Sequence, residues 1–382
     1  RVRSMAALTE EQTMIQHQAQ SWVTKHASVQ EFRDVRDSDS DVEFSPQIWN
    51  EMVSMGWAGI IIPEAYGGSD LGYLTFGLIL EQIGRQLSAS PLFASALVGA
   101  SAILIGGSES QKKHLLTGIA DGSEIVTLAL EEGPRHAPKN TALTAESDAG
   151  VFTLNGSKTF VCEGMSATSY IVAARTQGKA GSADGITLFV IPADAEGIKR
   201  TKLSTVDSRG YANIQFTQVK VTEDAVLGRV GEGFGLLESI LDRARAGIAA
   251  EMLGTGSQAF EMTLEYLKTR VQFGQVIGSF QALGHRAAGF YSQKELAKSC
   301  VEAALQAIDS NAENVDEMSS LSKCKVGEFL HGMSNELIQI HGGIGMTDEF
   351  NAGLYLKRAR VLESSYGNQA YHRNRYAQTK GI

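Results

Sequence analysis

The sequence predicts an α+β protein of several domains: an N-terminal helical domain, a middle antiparallel β-domain and a C-terminal four-helix bundle. Three observations carry this. The 382 residues exceed what one compact core usually holds. Apolar residues recur at helical spacing from about Leu8 to Ile119. That period yields near Glu124 to short β-branched and aromatic runs, then returns after "GRVGEGFG" and holds to the end. The expected boundaries are 5–122, 123–228 and 229–382.

Each element has its own signal. "TEEQTMIQHQAQSWVTKHA" sets Leu8, Met14, Ile15, Ala19, Trp22 and Val23 on one face, with Thr9 as N-cap before two acids. Ser45 and Pro46 supply a cap and a first helical residue for "SPQIWNEMVSMGW", which Gly56 ends. "PEAYGGSD" reads as a loop. Helices follow over Tyr73 to Leu87, over Pro91 to Ile105, and in "SESQKKHLLTGIADG". The middle strands are "EIVTLAL", "VFTLNGSKTFV", "SYIVAARTQ", "GITLFVIPA" and "ANIQFTQVKV". Asn155-Gly156 is expected to be a hairpin turn, since both residues accept positive φ. No long helix separates the strands, so antiparallel pairing is favoured over parallel βαβ units. A very long helix runs from about Phe234 to Arg270. Others begin near Ser279, Ser319 and Asp348, and Gly367 should break the last of them within "RVLESSYGN".

Composition excludes several classes. Hydrophobic content of 43% and charged content of 20% describe a globular chain. A net charge of −9 argues against a nucleic-acid surface. No apolar run reaches membrane-span length, and no signal peptide is visible. "RVRS", ahead of Met5, is set aside as an expression scar. Cys162, Cys300 and Cys324 form no C-x-x-C pair, which fits a reducing cytoplasm and no zinc site. There is no P-loop, no G-x-S-x-G and no H-E-x-x-H. "GEGFG" is not a dinucleotide fingerprint.

Four collinear motifs are more specific: "PEAYGG", "LNGSKTFV", "YLKTRVQFGQVIGSFQALGHR" (Tyr266 to Arg286) and "QIHGGIGMTDEF" (Gln339 to Phe350). Together they resemble the acyl-CoA dehydrogenase family of flavoproteins, over nearly the whole chain and in the family's domain order. The resemblance implies FAD as cofactor, an acyl-CoA substrate, an electron-transfer flavoprotein as electron acceptor, and a homotetramer or heterotetramer. Arg270, beside Gln272 and Phe273, offers a forked donor to the FAD pyrophosphate of a neighbouring subunit. Gly342 and Gly343 let backbone amides approach a phosphate, and Gln339 adds a side-chain amide. Phe160 and Cys162 match positions that line the flavin ring. Cys162 departs from the usual hydroxyl residue, and "LEEGPRHAPKN" (Leu130 to Asn140) departs from the family's T-E-P-x-x-G-S-D loop, keeping only Glu131.

The implied reaction is α,β-dehydrogenation, which needs a carboxylate base in an apolar setting. By the resemblance, Tyr366 stands where many members place that base, and a phenol of pKa about 10 is a poor substitute. This makes the chain a divergent, bacterial-type member. A second family position for the base, on the long helix, is Ala244 here. Leu237, Leu241, Ala244 and Ile248 trace an inward stripe that reaches Glu251, roughly 10 Å beyond Ala244 along the axis. Glu251 is the candidate base; the competing reading is a structural carboxylate paired with an arginine such as Arg245 or Arg286. Arg245 matches an arginine that the family keeps near its active centre. Two alternatives stay open: a subunit whose partner supplies the base, and a flavin oxidase or monooxygenase on the same fold.

Overall fold

The computed structural model describes residues 8–38, 40 and 42–382; "RVRS" lies outside them. The helices are α1 (Glu10–His26), α2 (Val29–Arg36), α3 (Pro46–Ser54), α4 (Gly72–Gln86), α5 (Ala100–Gly106), α6 (Glu109–Gln111), α7 (Thr117–Asp121), α8 (Gly233–Thr269), α9 (Gln281–Asp309), α10 (Val315–His341), α11 (Ala352–Ser364) and α12 (Gln369–Thr379). The strands are β1 (Val126–Ala129), β2 (Thr144–Asp148), β3 (Val151–Cys162), β4 (Ser169–Arg175), β5 (Ile186–Pro192), β6 (Ile198–Leu203), β7 (Tyr211–Thr222), β8 (Val226–Leu227), and the short pair β9 (Val271–Gln272) and β10 (Gln275–Val276). Helices, sheet and helices follow one another as expected.

Contacts divide the chain into two compact units. The first holds residues up to Arg33, Tyr73–Ser88 and Arg245–Ile382. Thr9 caps α1 through a capping box: its Oγ1 accepts from the Gln12 amide at 3.1 Å, and Gln12 Oε1 accepts from the Thr9 amide at 3.0 Å. Ala19 and Val23 are buried, but Met14 is exposed, so the apolar face of α1 is narrower than expected. Asp309, at the end of α9, accepts from the Tyr73 and Leu74 amides at 2.6 and 2.9 Å and so satisfies the first turn of α4. α4 and α8 cross with their backbones in contact. A Cβ on Gly254 would lie 2.7 Å from the Glu81 carbonyl carbon, and one on Gly84 would lie 2.9 Å from the Glu251 carbonyl carbon.

The second unit, Asp34–Gly72 with Ala89–Ala244, carries the sheet. Ser45 Oγ caps α3 by accepting from the Ile48 amide at 3.3 Å. The expected helix from Pro91 to Ile105 begins as a π-helix over Leu92–Gly99 before α5. There Ser95 Oγ accepts from the Val126 amide at 3.0 Å, and a Cβ on Gly99 would strike the Val126 carbonyl. The wider turn brings this segment against β1. The strand order is β6-β7-β3-β2-β4-β5-β8, with β1 beside β4. Leu154, Tyr170, Val172, Phe189 and Ile214 lie in its core.

Two expectations for the sheet need correction. It is mixed rather than antiparallel throughout: β1 and one bridge of β2 run parallel to β4. And Asn155-Gly156 is not a turn, because both residues lie inside β3. Asn155 spends its side chain on the Gln218 amide of β7 at 2.8 Å, opposite a bulge at which Gln218 takes φ 54°. The β2–β3 turn falls instead at Ala149-Gly150, where φ is 50° and 83°.

Candidate active site

The residues singled out from sequence fall into four places, one in the sheet unit and three in the helical unit. In β3 the register against β7 slips again between Lys158 and Val161, with the extra residue on β3 itself. The slip is a β-bulge at Thr159-Phe160, where Phe160 takes φ 49°. Phe160 is 52% exposed, while Lys158 and Val161 on either side are buried. A bulky aromatic in the left-handed region is strained, and such strain clusters at functional sites. Thr127 Oγ1 holds the Cys162 carbonyl at 2.7 Å.

The unusual loop Leu130–Asn140 is closed by its own acids. The Glu131 carbonyl accepts from the Thr159 amide at 2.7 Å, which ties the loop to the bulge, and the Glu131 carboxylate meets His136 Nδ1 at 2.5 Å. Glu132 accepts from the Ala142 and Leu143 amides at 2.8 and 3.0 Å, and from Lys158 Nζ at 2.6 Å. Lys158 is fully buried, and burial pushes its ammonium pKa down while Glu132 opposes the shift.

In the helical unit, Arg270 follows the end of α8 and opens the β9–β10 hairpin, turned at Phe273 (φ 53°) and Gly274 (φ 77°). Arg270 and Gln272 are exposed, and Phe273 is 89% exposed. At the end of α10, Gln339 is exposed and Gly342 takes φ 61°. A Cβ on Gly342 or Gly343 would meet nothing. Just before them, His341 packs between Tyr266 and Phe350, with ring centroids 4.2 and 4.6 Å away. The exposed guanidinium of Arg270, the side-chain amides of Gln272 and Gln339 and the open glycine backbone are each of a kind that binds phosphate.

Arg245, Tyr366 and Glu251 lie deeper. Arg245 is fully buried; its Nη2 reaches the Tyr371 hydroxyl at 3.3 Å and its guanidinium lies 5.7 Å from the Tyr371 ring centroid. His372 Nε2 meets the Tyr366 carbonyl at 3.0 Å. Arg245 and Tyr366 are thus linked through two neighbouring residues of α12, a helix that sequence reading did not separate. α11 ends at Ser364, before Gly367, and Tyr366 itself takes φ 55°. Lys323, in the middle of α10, donates to the carbonyls of Leu362, Glu363 and Gly367 at 3.0, 3.2 and 3.1 Å. Burial pushes its ammonium pKa down to about 7, against the pull of Glu363. Gly367 (φ 100°) has Tyr371 and His372 where a Cβ would go, 2.5 and 2.9 Å away. Gly367→Ala should therefore lower stability by about 2 kcal/mol or more, read by thermal or denaturant unfolding.

Glu251 is buried on α8, on the stripe expected for it. Its partner is neither Arg245 nor Arg286 but Arg358 of α11, whose Nη2 and Nε donate to Glu251 Oε1 at 2.6 and 3.0 Å. Arg286 pairs with Glu336 instead. Glu363, three residues before Tyr366, is engaged by Arg360 at 2.6 Å and His331 at 2.9 Å. Arg358 and Lys323 were missed from sequence. A buried cation on an otherwise mixed helix leaves no periodic signal, and only the three-dimensional neighbour explains it.

The comparisons agree with this architecture. The N-terminal domain of acyl-CoA dehydrogenase matches residues 9–123, the middle domain 131–219 and the C-terminal domain 231–380. The chain belongs to the acyl-CoA dehydrogenase family. It is an oxidoreductase and a flavoprotein that uses FAD to dehydrogenate acyl-CoA. It is 30% identical over 374 residues to the "Probable acyl-CoA dehydrogenase YngJ" of Bacillus subtilis, covering 96% of this chain and 97% of that one. It is 27% identical over 360 residues to "Caffeyl-CoA reductase-Etf complex subunit CarC" of Acetobacterium woodii, covering 93% and 94%. Among solved structures, a "Tcur3481-Tcur3483 steroid ACAD" variant aligns with TM-score 0.88 at 30% identity, over 97% of this chain and 98% of that one. Among the described residues no helix is long and apolar enough to cross a membrane.

Proposed function

We propose that the chain removes the α-proton and β-hydride of an acyl-CoA, with bound FAD as hydride acceptor and an electron-transfer flavoprotein beyond it. Phe160, turned outward by the β3 bulge whose Thr159 amide is tied to the Glu131 carbonyl, is the observation that carries the reading. Phe160 and Cys162 line the ring of the flavin. Arg270, with Gln272 and Phe273 beside it, reaches the pyrophosphate of a neighbouring subunit's flavin, and the open amides of Gly342 and Gly343, with Gln339, also lie against FAD. Arg245, buried without an aqueous shell, supplies positive potential to the reacting thioester. Tyr366 lines the acyl-CoA site and donates a hydrogen bond there rather than taking a proton. Within this chain the candidate base is Glu251, on the long helix that also carries Arg245.

The kinship with CarC, named as part of an Etf complex, supports the electron acceptor. Kinship with a steroid ACAD puts steroid-derived thioesters beside linear and aryl ones as substrates to try. The same reading has the enzyme in the cytoplasm, as a tetramer of one or two kinds of chain.

One set of observations favours a second reading, in which a different chain supplies the base. Tyr366 and Ala244 carry no carboxylate, and Glu251 Oε1 is already held by Arg358. One anaerobic experiment decides between the two. The purified yellow homo-oligomer is mixed with linear, aryl and steroid acyl-CoA thioesters and its flavin absorbance followed. Bleaching by any of them is the expected result and excludes partner dependence. Failure of all of them, reversed by adding a second family chain, would establish it. Peroxide release during aerobic turnover would mark an oxidase instead.

A further inference from the structure

We infer that Lys323 is a positioning residue for Tyr366: it fixes the turn that sets the phenol at the acyl-CoA site. The inference rests on the reading that Tyr366 lines that site. α11 ends at Ser364, so the carbonyls of Leu362 and Glu363 have no partner within the helix. Lys323 Nζ takes both, at 3.0 and 3.2 Å, and also the Gly367 carbonyl at 3.1 Å. The ammonium form, which prevails below about pH 7, has three N–H donors, and three acceptors converge on it. The contacts bracket Tyr366, with Glu363 before it and Gly367 after it.

The residue so bracketed is in a conformation it would not choose. Tyr366 has φ 55°, and a bulky side chain persists there only where its surroundings over-determine it. His372 supplies one restraint, on the Tyr366 carbonyl at 3.0 Å. Lys323 supplies three more, on the residues to either side, from a position 1% exposed within α10. A buried cation is costly unless its surroundings compensate it. Here the compensation is three carbonyl dipoles together with the nearby Glu363 carboxylate. An apolar residue of the same length would fill the volume and leave those carbonyls without a donor.

The test is a double-mutant cycle on the flavin-loaded protein, using Lys323→Met, Tyr366→Phe and both together. The probe is acetoacetyl-CoA, an enolisable thioester whose binding is read as a change in flavin absorption. Tyr366→Phe should weaken binding about fivefold in the wild-type background, the loss of one hydrogen bond. Lys323→Met should weaken it about tenfold or more, as a displaced group does. The double variant should match Lys323→Met alone, since a phenol no longer held in place has no hydroxyl contact to lose. An equal effect of Tyr366→Phe in both backgrounds overturns the role of Lys323 and leaves the reading of Tyr366 intact. No effect of Tyr366→Phe in either background overturns that reading and the inference with it. Amide hydrogen exchange of the wild-type holoenzyme decides the matter should Lys323→Met fail to fold. The Ser365 amide, which closes the last turn of α11 on the Val361 carbonyl at 3.1 Å, should exchange as slowly as the body of α11, and exchange as fast as at the C-terminus would refute the clamp.

Discussion

Glu251→Gln will lower stability by about 3 kcal/mol, because it leaves the Arg358 guanidinium buried beside a neutral amide. The Glu251 and Arg358 side chains are only 5% and 12% exposed, and both donating nitrogens of Arg358 converge on one carboxylate oxygen. Little solvent reaches the pair to screen the charge that Glu251 no longer balances. Chemical denaturation of the two proteins measures this loss. The activity of the fraction that stays folded then answers a separate question. If Glu251 takes the α-proton, flavin bleaching by acyl-CoA falls by a factor on the order of 10² to 10⁴, the usual worth of a general base. If Glu251 serves only to seat Arg358 and join α8 to α11, bleaching per folded, flavin-loaded molecule stays at the wild-type rate. That second outcome removes Glu251 from the chemistry and moves the search for the base to a partner chain.

Gly254→Ala will prevent a native chain from forming, or cost it about 4 kcal/mol or more. The added methyl falls well inside contact distance of the Glu81 carbonyl and within 3.1 Å of the Arg85 amide nitrogen. All of these neighbours are backbone, so no side chain can rotate away, and the crossing of α4 and α8 must open as a whole. Gly84, facing the Glu251 carbonyl across the same crossing, leaves no slack on the other side. Helix propensity predicts the opposite sign, since alanine in mid-helix is normally favoured over glycine by about 1 kcal/mol. Soluble yield and unfolding midpoint would show which term dominates. A variant as stable as the wild type would mean that the crossing is looser than its geometry.

Local chemistry was legible in the sequence wherever it acts locally. Thr9 and Ser45 cap their helices because a side-chain oxygen reaches an amide three residues away, whatever the rest of the chain does. The long run of α8 and the runs of β4 and β5 follow from period and composition alone. What escaped was decided by distant partners. Asn155-Gly156 has the residues of a tight turn, but Asn155 found the Gln218 amide 63 positions away. The parallel pairing of β1 with β4 joins segments distant in the chain, and strand composition does not encode its direction. Met14 has the right spacing to be buried, yet it lies on the exposed side of α1. The candidate site divides in the same way. The residues of the motifs could be named in advance. Arg358, Lys323, Tyr371 and His372, which hold or adjoin them, became visible only once helices far apart in sequence were packed together.

The bulge in β3 has a consequence for how this strand can change over time. Before it, buried residues fall at even positions, Phe152, Leu154 and Lys158; after it, burial passes to Val161. Loss of a single codon at Thr159 or Phe160 would restore the alternation from Lys158 onward, and to the eye the result would look like a better strand. It would also undo the bulge that turns Phe160 outward and offers the Thr159 amide to the Glu131 carbonyl. The length of β3 is therefore under tighter constraint than most of its letters, and relatives should tolerate exchanges there far more readily than a gap.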